Sequence, residues 1–371
     1  SGTAPDVIIG YANWEFLNCG HLLDLYPFME NDTDFNEEDH YMNIITSTEV
    51  DGKLYAMPYS FYFPGLYAMR RDIAPEIAAE FEAAESVTME ELLDWYETTG
   101  VSNNLLYYRL YDPTYALSVY YDTVIDLDNT ACNFQNQKLM SLLERAKQVP
   151  APGLAYTSEG KSFAGGESSL LESYYYPLTD PDYSYLFYPC LDIVTNPQIL
   201  FPFENGIFTT PKLLSTSGGK TIFDVHYVMA ISDCCENPGL AWDFLKFCIT
   251  DKTEPYESAG SGTFAFYYTV GVYPSVNRNT YAAHCEYNLR SQYNYCCTEA
   301  GMTPVGDKEQ VISSALTYML ELPKQLDFAL FPFDAVESMI WPDMYLYLTN
   351  KQDIDVTMAS IQSKVSIYLN E

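Results

Sequence analysis

Apolar positions in this chain recur with two periods, and the two alternate along it. Leu139, Leu142, Leu143 and Ala146 fall at i, i+3, i+4 and i+7, the spacing of one helical face. Thr88-Met89-Glu90-Glu91 is a capping box and predicts a helix whose apolar face carries Leu92, Leu93, Trp95 and Tyr96. Asn237-Pro238 reads as a cap with proline at the first helical position, turning Ala241, Phe244, Leu245 and Cys248 inward. A last helix lines up Ile354, Met358, Ile361, Val365 and Tyr368, with Asp353 or Asp355 near its start, where negative charge suits the helix dipole. Short apolar runs at 7–9, 54–57, 66–69 and 228–231 read as strands. Asp51-Gly52 marks a tight turn ahead of one of them. Strands alternating with helices predict an α/β protein. Residues 150–211 hold eight prolines and many tyrosines with weak periodicity, and are expected to form loops and short elements.

Length and charge narrow the picture. A chain of 371 residues suits two or three domains. With 18 basic against 51 acidic residues the net charge is −33, which argues against nucleic acid or a polyanion as partner. Cations, neutral sugars and peptides stay open, and the plain reading of the charge is a hydrated acidic surface. No apolar run is long enough to span a membrane. The 34 tyrosines are the compositional outlier; aromatic faces stack on sugar rings and tyrosine adds a hydroxyl, although most must serve packing. Nine cysteines cannot all pair internally, and none has the C-x-x-C spacing of a zinc or redox motif. The adjacent pairs Cys234-Cys235 and Cys296-Cys297 bridge only with strain, so free thiols are expected.

Catalytic signatures are few. Ser217-Gly218-Gly219-Lys220-Thr221 ends like a phosphate loop, but Leu214 stands where the first glycine belongs, so an ordinary loop is expected. His21, His40, His226 and His284 are scattered, and Glu37-Glu38-Asp39 lacks calcium-loop spacing. Paired carboxylates for glycoside hydrolysis cannot be singled out among so many acids. The residues therefore imply no enzyme activity, no metal and no cofactor.

Several segments carry a resemblance in fixed order. They are 4–9 (APDVII), 20–29 (GHLLDLYPFM), 51–61 (DGKLYAMPYSF), 126–143 (DLDNTACNFQNQKLMSLL), 226–250 (HYVMAISDCCENPGLAWDFLKFCIT), 271–281 (GVYPSVNRNTY) and 338–371. Together they resemble the extracellular solute-binding proteins of bacterial ABC importers, in the sugar-binding, maltose-binding-protein-like branch. The resemblance implies a two-lobed periplasmic-binding-protein fold, type II-like, with a ligand cleft between lobes and three crossings near 61–65, 223–227 and 272–274. Lobe one is then 1–63 and 226–272; lobe two is 64–225 and 273–371, the last stretch including the closing helices. Relatives carry a secretion signal, a lipidated cysteine, two strands and a helix ahead of the Pro-Asp strand, none of them in this sequence; an uncovered sheet edge beside 7–9 is expected.

By resemblance, Tyr11, Asn13 and Trp14 line lobe one, and Ser60, Tyr62 and Phe63 lie at the cleft floor. Maltose-binding relatives place a carboxylate about where Tyr62 falls, which puts identical ligand chemistry in doubt. Tyr175, from the run Tyr174-Tyr175-Tyr176, and Trp341 face the ligand from lobe two. The expected task is capture of a neutral carbohydrate, an oligosaccharide above all, for delivery to membrane permease subunits. The protein is expected to be monomeric, outside the cell, and anchored as a surface lipoprotein through a segment not in this chain. A peptide or other small solute is the alternative ligand. A secreted glycosidase and a surface adhesion protein are the alternatives of other classes.

Overall fold

The computed structural model describes residues 5–100, 113–127, 129–149, 154–157, 160–163, 186–190, 193–203, 206–225, 227–250, 274–298 and 302–370. The chain divides into two compact units. The first comprises Ser1–Pro64, Asp192–Pro202 and Phe223–Pro332; the second comprises Gly65–Leu191, Phe203–Ile222 and Phe333–Glu371.

The first unit is organised by a three-stranded antiparallel sheet, in the order Val7–Tyr11, Tyr227–Ile231, Met57–Pro58. The central strand is buried throughout except for half-buried Tyr227, as its unbroken apolar run requires. Val7–Tyr11 forms an edge, and there Ile9 and Tyr11 stay largely exposed. The expected strand at 54–57 divides in two. Lys53–Leu54 pairs back onto Glu49–Val50 around Asp51 and Gly52, and Met57–Pro58 joins the main sheet. Asp51 and Gly52 both have positive φ (51° and 73°), the geometry of the favoured two-residue hairpin turn.

The Pro238–Ile249 helix packs on the central strand and buries Ala241, Trp242, Leu245, Cys248 and Ile249. Trp242 thus takes the inward place expected for Phe244, which is 39% exposed. The reason is chemical: the Trp242 indole N–H donates to Asp32 at 2.7 Å, and its ring meets Phe28 and Phe35. A second cluster sets Tyr41, Phe61 and Tyr281 edge to face or tilted, and the Tyr281 hydroxyl donates to the Met319 carbonyl at 3.0 Å.

The division differs from the one expected, because residues 192–202 and 274–332 pack with the first unit. The Tyr41 N–H donates to the Val276 carbonyl at 2.9 Å, and the Phe61 N–H donates to Pro274 at 3.0 Å. Pro197–Leu200 lies on the long Arg278–Thr298 helix, where Phe201 meets Tyr293 at 5.6 Å. The chain therefore leaves this unit after Pro332, not near 272–274.

The second unit holds a four-stranded sheet in the order Phe187–Pro189, Leu66–Met69, Lys212–Ser215, Ser86–Thr88; only the last pair is parallel. Leu66–Met69 is buried at every position. The Met89–Thr99 helix starts with both halves of the capping box in place and ends at Gly100, whose φ of 60° is left-handed. Gln137–Gln148 starts at Asn136 and buries Leu139, Met140, Leu142, Leu143 and Ala146, the predicted stripe widened by one methionine. Asp334–Leu348 and Ile354–Tyr368 pack on each other, joined by the buried Asp343 carboxylate, which meets Lys364 at 2.7 Å.

Candidate ligand site

The residues expected to touch ligand separate into three groups. Ser60 and Phe63, expected at the cleft floor, are buried, at 0% and 1% exposed. Ser60 is bridged to Ser275, and Phe63 sets its ring edge-on to Phe61 at 5.5 Å. Tyr175 lies outside the described residues.

Tyr11 ends the Val7–Tyr11 strand with Asn13 and Trp14 just after it, and Tyr62 follows the Met57–Pro58 strand. The register Tyr11↔Tyr227 ends the ladder, and residues 12–14 leave it there. The Asn13 side-chain oxygen caps the short Trp14–Leu17 helix, accepting from the Phe16 N–H at 2.7 Å. The Trp14 ring is half-buried on the first helical residue.

Tyr11 is exposed, with its ring tilted against a neighbour. Its ring centre is 4.9 Å from that of Tyr227, whose ring in turn lies 5.8 Å from Tyr59 and nearly parallel to it. Burial, then Tyr227, push the Tyr59 phenol well above its ordinary pKa. Three positions further in the same register, Tyr62 and Asp224 form a closed backbone pair with N–H···O distances of 3.0 and 3.2 Å. The Tyr62 hydroxyl donates to Asp224 Oδ2 at 2.7 Å, and the Val225 N–H donates to Oδ1 at 2.9 Å. The paired segment thus sets a carboxylate against Tyr62. Asp224 and Tyr227 fall inside the crossing expected at 223–227, where the sequence named no candidate.

Trp341 is half-buried on the Asp334–Leu348 helix of the second unit. Asp334, Glu337 and Trp341 share a face of that helix by their spacing of three and four. The fully buried Tyr121 packs its ring 4.9 Å from Phe333. Burial first, then the Glu337 and Asp334 charges, hold the Tyr121 phenol protonated far beyond its usual range.

The glycine-lysine-threonine segment is a hairpin: Ser215 bridges to Thr221, and no helix follows to complete a phosphate loop. Thr216 donates instead to Asp122 at 2.6 Å. Among the described residues, no group of three or more His, Cys, Asp or Glu side chains is placed to hold a metal ion. No helix among them is long and apolar enough to cross a membrane.

No protein-family model and no curated protein matches the chain. Solved structures do. The sugar-binding protein MalE of Xanthomonas citri is similar at a TM-score of 0.59 and 15% identity, over 99% of this chain and 84% of that one. An oligogalacturonide-binding protein of Yersinia enterocolitica is similar at 0.56 and 16%, over 100% and 86%. Maltose-bound MalE3 of T. maritima is similar at 0.54 and 15%, over 99% and 85%. At these identities the likeness defines the fold: the chain has the two-lobed periplasmic-binding-protein fold. The similar structures are those of binding proteins.

Proposed function

We propose that this protein is the extracellular substrate-binding component of an ABC importer, that it captures a neutral carbohydrate, and that it passes the ligand unchanged to a membrane permease. One observation carries the reading. Half-buried Tyr62 donates to the Asp224 carboxylate at 2.7 Å just beyond the Met57–Pro58 strand, and half-buried Trp14 follows the Val7–Tyr11 strand. A ring face beside directed hydrogen-bond groups suits a pyranose, which presents an apolar face and a rim of hydroxyls. The relatives' names support the class: they bind maltose or oligogalacturonide, or are described as sugar-binding. The excess of 51 acidic over 18 basic residues favours a neutral ligand over a uronate.

The test is titration calorimetry with neutral oligosaccharides, followed by chromatography of the recovered sugar. Saturable binding with unaltered sugar supports the proposal. Released shorter sugars would make the protein a glycosidase, and a chain inert to every sugar would refute the carbohydrate reading.

A further inference from the structure

We propose that His40 is a pH-sensitive clamp: its doubly protonated ring donates to two backbone carbonyls at once, and loss of one proton weakens its hold on the end of the Pro238–Ile249 helix.

The ring has little room to do anything else. His40 is 5% exposed. Its Nδ1 lies 2.9 Å from the Asn36 carbonyl oxygen, and its Nε2 lies 3.1 Å from that of Ile249. Both partners accept only. A neutral imidazole has one N–H and one lone pair, so it satisfies one carbonyl and sets its lone pair against the other. Turning the ring over puts carbons where the nitrogens stand and satisfies neither. The imidazolium alone donates to both. The Nδ1 bond to the ring's own turn aims Nε2 at Ile249; without one proton, either the aim or the bond is lost. The Asn36 carbonyl also accepts the Asp39 N–H at 3.1 Å. The Ile249 carbonyl is one of the orphans of a helix C-terminus and meets no other donor among the described residues. A positive charge is favoured there by the helix dipole as well.

The backbone around the ring is fixed. The His40 N–H donates to the Glu37 carbonyl at 3.0 Å, its own carbonyl accepts from Arg278 Nε at 2.9 Å, and it bridges to Asn277. Its ring stacks on Phe35 at 5.0 Å. The charged and titratable groups around it are few. Its own turn carries exposed Glu37, Glu38 and Asp39. Arg278 and the buried Tyr41, whose ring lies under that guanidinium at 5.1 Å, face it from the Arg278–Thr298 side. On the Pro238–Ile249 helix, Lys246 is bound to Asp32, Asp243 is largely exposed, and the Cys248 thiol is buried. His40 thus links the turn, the helix end and the start of Arg278–Thr298. A bond made by the protonated ring contributes in full at low pH and is lost as pH rises through the ring's titration in the folded chain.

The test combines nitrogen-15 NMR of the histidine rings with amide hydrogen exchange, each at about pH 5 and about pH 8, the span over which imidazoles titrate. In wild type at the lower pH, both His40 nitrogens are expected to carry protons. At the higher pH one proton should be gone. Protection of the Lys246–Ile249 amides, corrected for intrinsic exchange, should then fall about tenfold, the scale of a buried carbonyl left without its donor. The H40F variant keeps a ring against Phe35 and removes both donors; its protection there should be low and the same at both pH values. A folded wild-type chain whose His40 carries a single N–H at the lower pH overturns the proposal, and this result needs no substitution. So does wild-type protection that is equal at both pH values, or a folded H40F that shows the same fall as wild type.

Discussion

The Lys246 ammonium meets the Asp32 carboxylate at 2.5 Å, tying the Pro238–Ile249 helix to the end of Tyr26–Asn31, more than two hundred residues earlier in the chain. Trp242 adds an indole donor to the same oxygen at 2.7 Å. Lys246 first, then Trp242, pull the Asp32 carboxyl from its ordinary 3.8 down to about 2. A depressed carboxyl contributes stability that is present in full above its unfolded value and lost as pH falls through its folded one. Asp32→Asn is therefore expected to lower stability at pH 7 by about 1–2 kcal/mol. The gap from wild type should close between about pH 4 and pH 2, as urea melts across that range will record.

Gly65→Ala tests a close approach in the second unit. A Cβ at Gly65 would come to 2.6 Å from Leu214 Cβ and 2.9 Å from the Tyr115 hydroxyl. The Leu214 N–H also donates to the Gly65 carbonyl at 2.7 Å, so Leu214 is not free to retreat. A loss of about 1–3 kcal/mol in urea unfolding is the expected result.

Phe63 and Trp14 should separate stability from binding. Phe63 is fully buried against Phe61, so Phe63→Ala should cost about 3–5 kcal/mol in denaturant melts. Trp14→Ala, at a half-buried site, should change melting much less and reduce sugar affinity in calorimetry. The reverse pattern would return Phe63 to the ligand site.

All nine cysteines are free, and their burial ranks their reactivity. Cys19, Cys234 and Cys297 are exposed, whereas Cys190, Cys248, Cys285 and Cys296 are buried. Burial pushes the Cys285 thiol up to about 12 and Cys296 to about 11, so few thiolates form there at neutral pH. Native alkylation followed by peptide mass mapping should label the first three within minutes and the buried ones only after unfolding.

Local physics made part of this structure legible in advance. The Thr88-Glu91 box, the 139–146 stripe and the Asp51-Gly52 turn each depend on residues within one helical turn or hairpin, so neighbours in sequence suffice to specify them. The inward side of the Pro238–Ile249 helix was less legible. Phe244 and Trp242 are both apolar, and only the distant Asp32 decides which one turns in. Ser60 and Phe63 illustrate the same limit: a position beside a crossing is compatible with either solvent or core until its neighbours from other segments arrive.

The amino-acid order alone determined the α/β class, the main helical faces, the free thiols and the ordered segments that resemble sugar-binding proteins, because each is written in spacing or composition. Tertiary structure alone decided that residues 274–332 pack with the first unit and that Asp224 stands against Tyr62 across 162 positions of chain. Strand pairing brings such groups together, and no pattern within either segment encodes its partner. The proposed site is therefore a product of register.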